Sequence, residues 1–357
     1  MKPEGSPFLP SGVTNRREPS ALERLGWGAA FAHQIDADAL TVTPPVRVVA
    51  VHRSGLQIAG DGIDETIPPG PEATVGDWLL LDRARPRSSR VLERKSLIKR
   101  RAPGTGREVQ LIAANIDTVF VVTSCNADFN VARLERYVAL AFEAGIEPVI
   151  VITKADLTED IAPYIDAAHT VSERVSVVAL DARGEEPVQA LADWCKPGRT
   201  IAFLGSSGVG KSTLANALLG ARTIATQGIR EDDARGRHTT TWRELHDTPI
   251  GCLVLDTPGM RELQLTEAAS GIADVFEDIE ALGANCRFTD CQHEAEPGCA
   301  ILAGIEDGSL DSARLTRWRK LQAENSFNSA SLAERRGKDR AFGKLVRNAI
   351  KAKSDRE

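Results

Sequence analysis

No uninterrupted apolar run in this 357-residue chain approaches the roughly 20 residues that a membrane span requires. The stretch from Met1 to Val13 has no apolar core, so no secretory leader is visible. Both absences lead us to expect a cytoplasmic protein with no membrane contact, and disulfides are rare in that compartment. Cysteine is scarce, and the six present are therefore expected to be thiols or metal ligands. A net basic charge is lacking as well. The formal charge of −6 by itself argues against a nucleic-acid partner. Its distribution argues the other way. From Arg314 to Glu357 there are 13 Lys/Arg against 5 Asp/Glu, a local +8 that leaves the rest near −14. Ten more Lys/Arg lie between Arg83 and Arg107. Two basic regions on an acidic chain point to localised contact with a polyanion.

What is present is an ordinary globular composition, 42% hydrophobic and 26% charged, with length enough for two or three domains. The organising stretch is Ile201 to Ser212. Ile201–Leu204 reads as a buried strand and runs into Gly205, Ser206, Ser207, Gly208, Val209, Gly210, Lys211 and Ser212, which fit G-x-x-x-x-G-K-[ST]. Thr213 to Leu219 then reads as a helix that Gly220 ends. Glycines let the backbone curl so that its N–H groups face an anion, and the helix N-terminus adds its dipole. Lys211 can reach the β- and γ-phosphates, and Ser212 can ligate magnesium.

Earlier in the chain, residues 1–20 are rich in Pro, Ser and charge. Ser20 to Gln34 reads as a short amphipathic helix with a Ser20 cap and Glu23 three residues on. Leu22, Leu25, Trp27 and Phe31 are its docking side chains. Val46–His52, Gly55–Ile58 and Asp77–Leu81 are short β runs separated by turn residues, the texture of a small barrel. With Arg83–Arg101 on its last strands and loops, that barrel is similar to an oligonucleotide-binding fold. From Leu111 the rhythm turns α/β. Strands are expected at Thr118–Ser124, Pro148–Ile152 and Val175–Leu180, with helices at Val131–Ala144, Ile161–Ala168 and Pro187–Trp194. Alternation of this kind implies a parallel sheet with its ligand at the strand carboxyl ends.

The remaining motifs fit such a site. Cys252–Asp256 reads as a strand ending in Asp256-Thr-Pro-Gly259. Asp256 can hold a magnesium hydration shell, and Gly259 can offer its N–H to a γ-phosphate. Thr153-Lys154-Ala155-Asp156 follows the Pro148–Ile152 strand. The Asp156 carboxylate can accept both the guanine N1–H and the N2 amine, a pattern adenine lacks, and the Lys154 stem can lie over the base. Gly236-Arg-His-Thr-Thr-Thr241 is polar and can supply a magnesium threonine, Thr239 or Thr240. The loop from Val178 to Gly184, through Leu180, is a candidate for the backbone donor to guanine O6. In ordinary GTPases Lys-x-Asp follows Asp-x-x-Gly. Here it comes before the phosphate loop, so the order is that of a circularly permuted sheet. Downstream, Cys286, Cys291, His293 and Cys299 fall within 14 residues, the pattern of a closed structural zinc site with one ion per chain. Cys125, Cys195 and Cys252 are expected in the core.

The Leu-Gly-Trp helix, Arg47-Val-Val-Ala-Val-His-Arg53, the motifs just described and the Cys286–Ala300 segment together resemble ribosome small-subunit-dependent GTPase A, a circularly permuted ribosome-assembly family. The resemblance runs from about Leu22 to Arg347. It implies an oligonucleotide-binding barrel over 43–102 after an N-terminal extension of 1–42. A permuted GTPase domain over 110–265 and an α-helical zinc domain with a basic tail over 266–357 follow. It further implies GTP hydrolysis with magnesium, slow alone and stimulated by the small ribosomal subunit and its rRNA, by a monomeric protein. Thr153 stands where the family more often has Asn. Met260 follows Asp-x-x-Gly and cannot orient water. His238 is the nearest polar candidate, and the resemblance points to it as catalytic alongside Lys211. A competing reading is an RNA-binding assembly chaperone that uses GTP only as a conformational ligand. An ATP-dependent enzyme is disfavoured by Asp156.

Overall fold

Seven consecutive buried residues, Thr118–Ser124, form β8, the spine of the molecule. The computed structural model describes residues 17–36, 40, 42–101, 109–220, 243–256 and 268–329. On one side of β8 lie β9 (Glu147–Thr153) and then β10 (Ser176–Ala179), and on the other β11 (Thr200–Leu204) and then β13 (Leu253–Asp256), all parallel. Strands buried on both faces read as continuous Val/Ile/Phe runs, which is why they were legible in sequence. The Asn130 side chain accepts the Arg133 N–H at 3.0 Å and starts α3 (Val131–Glu143). Helices α4 (Ala162–His169) and α5 (Glu186–Ala190) follow β9 and β10. The expected Pro187–Trp194 helix is thus one short turn set earlier.

Beyond β13 the sheet continues through a strand that the sequence did not suggest, β12 (Arg243–Asp247), antiparallel to β13. Ala50 and Val51 of β1 (Pro45–His52) pair with Glu244 and Arg243. The N-terminal β segment is therefore hydrogen-bonded to the α/β sheet. Within that segment β1, β2 (Gly55–Gly60) and β3 (Ile63–Ile67) form an antiparallel meander. Strand β4 (Trp78–Leu80) joins β1, and β5 (Arg90–Val91) joins β4. Strands β6 (Leu97–Arg101) and β7 (Val109–Ala114) make a separate pair.

The expected Ser20–Gln34 helix is two helices, α1 (Ala21–Arg24) and α2 (Ala29–Ala32). The Ser20/Glu23 capping box is formed. The helix then breaks at Gly26, whose φ of +88° a side chain would strain and whose Cβ would sit 2.6 Å from Gly198 O. The break turns Trp27 and Phe31 onto Trp78, at ring-centroid distances of 4.8 and 5.7 Å. Beneath them Arg47 is buried and donates to Leu25 O at 2.6 Å, Gly76 O at 3.2 Å and Asn115 O at 3.1 Å. Burial pushes its pKa down to about 10, so it stays charged at neutral pH. Arg47→Met keeps the stem but strands the Leu25 and Asn115 carbonyls and leaves Gly76 O to Asn115 Nδ2 alone. It is expected to cost about 3 kcal/mol or more, read as a lower midpoint of denaturant unfolding.

Four helices follow the α/β sheet: α7 (Ala269–Val275), α8 (Glu277–Gly283), α9 (Ala300–Glu306) and α10 (Ser312–Ser329). Their apolar residues share one core with α3 and the sheet. Among the described residues no helix is long and apolar enough to cross a membrane.

Candidate nucleotide site and metal centre

Because β8, β9, β10, β11 and β13 are parallel, their carboxyl ends open on one edge. The phosphate loop leaves β11, between β8 and β13, the Thr153–Asp156 motif leaves β9, and Asp256 ends β13. Gly205 takes φ +148°, and a Cβ there would lie 2.3 Å from Val122 O, so the loop needs glycine to turn against β8. The loop feeds α6 (Lys211–Leu219), whose first turn faces the cradle. Lys211 Nζ donates to Gly205 O at 2.8 Å and to Ser206 O, which suspends the ammonium over the loop.

Thr153 is fully buried. Its hydroxyl lies 2.6 Å from Val209 O and 3.0 Å from Thr123 O, and its one proton can serve one of them at a time. The residue therefore links the Thr153–Asp156 loop to the phosphate loop. Lys154 follows at φ +60°, an uncommon left-handed position for a residue with a side chain. Asp156 pairs with Arg183, which also holds Asp181 at 3.1 Å, so the 180–184 loop folds over the same carboxylate.

One expected donor is misplaced. The Leu180 N–H already donates to Ile152 O at 3.0 Å, and Leu180 is fully buried. It extends the β9–β10 ladder and cannot also serve guanine O6. The Asp181 N–H goes to Glu186 Oε2 and that of Arg183 to Asp181 Oδ1, which leaves the Ala182 and Gly184 N–H groups as the candidates among the described residues of this loop. Sequence reasoning also missed Arg183, for which the only signal was its place beside the loop glycine. His238, Thr239, Thr240 and Gly259, and the side chain of Asp256, lie outside the described residues.

The basic stretch from Arg83 is less uniform than its count suggests. Arg94 makes a two-pronged pair with buried Asp77, at 2.7 and 2.9 Å, and Lys95 pairs with Asp117 at 2.8 Å. These cations hold the fold together. Arg83, Arg85 and Arg87 instead stand exposed on one loop.

Cys286, Cys291, His293 and Cys299 bring their ligand atoms within 4.8 Å of one another. The two sulfurs of Cys286 and Cys299 are 3.9 Å apart, and each is 3.5 Å from His293 Nδ1. A tetrahedral zinc with bonds of about 2.3 Å to sulfur and about 2.0 Å to nitrogen has edges of about 3.8 and 3.5 Å, so the set fits. Burial disfavours the Cys286 thiolate, but the N–H groups of Ala300 and Ile301 outweigh it and lower the pKa. Glu296 ties the connecting loop through the N–H groups of Gln292, Ala295 and Glu294, which hold its pKa at about 2. Cys125, Cys195 and Cys252 are buried free thiols, as expected.

Comparison with known proteins agrees with this geometry. The sequence model of the RsgA GTPase family matches residues 91–266. The small ribosomal subunit biogenesis GTPase RsgA 2 of Vibrio parahaemolyticus is 46% identical over 342 residues, 94% of this chain and 94% of its own length. The RsgA of Mesorhizobium japonicum is 46% identical over 325 residues, 89% of this chain and 93% of its own. Two solved structures share the fold. YjeQ from Thermotoga maritima superposes with a TM-score of 0.56 at 24% identity, covering 78% of this chain and 96% of its own. YloQ, described as a circularly permuted GTPase, superposes with a TM-score of 0.53 at 22% identity, covering 81% and 96%. On the strength of the full-length relatives, this chain belongs to the RsgA GTPase family.

Proposed function

We propose that the protein hydrolyses GTP to GDP and phosphate during biogenesis of the small ribosomal subunit. One observation carries the nucleotide reading: buried Thr153 ties the Lys154/Asp156 motif to the phosphate loop at one sheet edge. The names of the full-length relatives carry the ribosomal part. Strand β11 lies between β8, which precedes it in the chain, and β13, which follows it, as a circular permutation of the motifs requires. The antiparallel β1–β5 segment, over about 43–102, serves as an oligonucleotide-binding module, and 110–265 is the permuted GTPase domain.

In this reading Lys211 neutralises the β- and γ-phosphates, and the N–H groups of the 205–213 loop cradle them. Asp156 accepts the guanine N1–H and N2 amine, and the Ala182 or Gly184 N–H meets O6. Ser212, Asp256 and one of Thr239 and Thr240 hold the magnesium that accompanies the nucleotide and neutralises developing charge. Gly259 contacts the γ-phosphate and His238 orients water. Competition of GTP against ATP for binding, with hydrolysis followed with and without purified small subunits, tests the proposal. GTP selectivity and subunit-dependent turnover are the expected result. Equal binding of ATP, or no hydrolysis in any condition, contradicts it.

The Cys286, Cys291, His293 and Cys299 set holds one zinc, which closes the 269–329 helices into a stable module. No ligand position stays open, so its role is structural. Cys291→Ser is expected to lose the metal by elemental analysis and to lower the unfolding midpoint, because metal binding is folding energy in such a module. GDP binding is expected to persist. Full zinc occupancy in that variant contradicts the ligand set.

A further inference from the structure

The phosphate loop is braced by a residue that belongs to none of its motifs. Arg133, in the first turn of α3, donates from Nη1 to Ser206 Oγ at 2.5 Å. A second, longer contact from the same nitrogen reaches Asp128 O at 3.4 Å. The carbonyl of that same Ser206 accepts the Lys211 ammonium. A single serine therefore joins the Arg133 guanidinium to the lysine that faces the phosphates.

Helix α3 is itself fixed by α10. Glu135 is completely buried and accepts Arg317 Nε at 2.9 and 3.0 Å, with Arg314 Nη1 at 3.5 Å. Burial pushes its pKa up, and the two guanidiniums oppose that. The next residue, Arg136, makes a two-pronged pair with Glu324 of α10, at 2.7 and 3.2 Å. Arg314 also donates to Asp278, Thr170 O and Val275 O, which locks α10 against α8 and the chain after α4. From its other face α10 reaches the Cys3His centre. Arg319 donates to His293 O at 2.5 Å, and the Trp318 ring lies 6.0 Å from the imidazole.

We infer that Arg133 is a positioning residue for Lys211, acting through Ser206, and that α10 holds it in place through Glu135 and Arg136. The order of the Cys3His module is thereby felt at the phosphate loop. The inference rests on the GTPase reading above and adds to it a further element of the site, one contributed by α3. A continuous line of contacts is not coupling by itself, so the test has to be energetic.

The test uses the full chain, with single-turnover GTP hydrolysis and the affinity for a fluorescent GDP measured in parallel. Arg133→Ala is expected to slow hydrolysis about tenfold or more, because small misplacements of a catalytic group are costly. GDP affinity is expected to stay close to that of the unmodified chain. Ser206→Ala removes one oxygen and leaves the fold intact, so it must reproduce the loss. The double variant must be no slower than either single one, since both remove the same contact. Arg133→Lys is expected to recover part of the rate. Arg136→Glu and Glu324→Arg are each expected to slow hydrolysis, and their combination to restore it. Removal of zinc by a zinc-selective chelator, with magnesium kept in excess, is expected to slow the unmodified chain but not Arg133→Ala. An unchanged rate in Ser206→Ala, or losses in Arg133→Ala and Ser206→Ala that simply multiply, overturns this inference and leaves the GTPase reading standing. A wild-type chain with no GTP turnover overturns both.

Discussion

Lys211→Ala is expected to lower GTP hydrolysis by about a hundredfold or more, the scale on which removing one preorganised charge-stabilising group acts. Its ammonium is already held over the loop by Gly205 O and Ser206 O, so no reorganisation is needed when a triphosphate arrives. Asp156→Asn separates base recognition from this chemistry. The substitution trades a carboxylate that accepts two guanine donors for an amide that matches only one of them. Rejection built on unmatched buried hydrogen bonds is large, so the preference for GTP over ATP is expected to fall by about tenfold or more. Xanthosine triphosphate carries a carbonyl where guanine has the 2-amine, and the new amide can donate to it. Gain of xanthosine triphosphate turnover by Asp156→Asn is therefore the expected rescue. Competition binding with the three nucleotides reads the outcome, and unchanged GTP selectivity rules out the assignment of Asp156.

What the sequence could show of this site follows from how local each signal is. The phosphate loop, its strand and its helix are contiguous, and Val119–Val122 and Pro148–Ile152 announce two further strands as unbroken apolar runs. Strand β12 does not, because Arg243-Glu-Leu-His-Asp247 buries only Leu245 fully and is specified by its neighbours β13 and β1. The break at Gly26 depends on the backbone of Gly198, far along the chain. The difference between Leu180 and Ala182 or Gly184 as a base donor turns on one ladder hydrogen bond to Ile152. Counting charges could not separate Arg94, committed to buried Asp77, from exposed Arg85. Arg133 and Ser206 lie 73 residues apart, and no spacing rule joins them. The Cys3His set, by contrast, is a local pattern, and its four ligand atoms meet as the spacing predicted.

Small ribosomal subunits are expected to raise GTP turnover by about a hundredfold or more, the order that partner-activated GTPases reach. The argument starts from the layout. The β1–β5 module is hydrogen-bonded through β1 to β12, which pairs with the strand ending in Asp256. On the other side, the Cys3His module meets the sheet through α10 and α3. A rigid partner that engages both modules therefore bears on the nucleotide edge from two directions, and it can select the hydrolytic arrangement. Linkage then requires the GTP form to bind the partner more tightly than the GDP form. Contact with rRNA is expected to run through exposed Arg83, Arg85 and Arg87, since Arg94 is held by buried Asp77 and Lys95 by Asp117, whereas the pairs of Arg83 with Glu65 and of Arg85 with Asp82 are long and solvent-exposed. Each phosphate neutralised contributes about 0.7–0.9 to the slope of log affinity against log salt. Replacing the three arginines by Ala is thus expected to weaken subunit binding, flatten that slope by about 2 and leave unstimulated hydrolysis intact. Turnover measured with small subunits, large subunits and plain RNA at two salt concentrations decides the matter. Equal stimulation by all three, or a salt slope unmoved by the triple substitution, removes the specific contact from this loop.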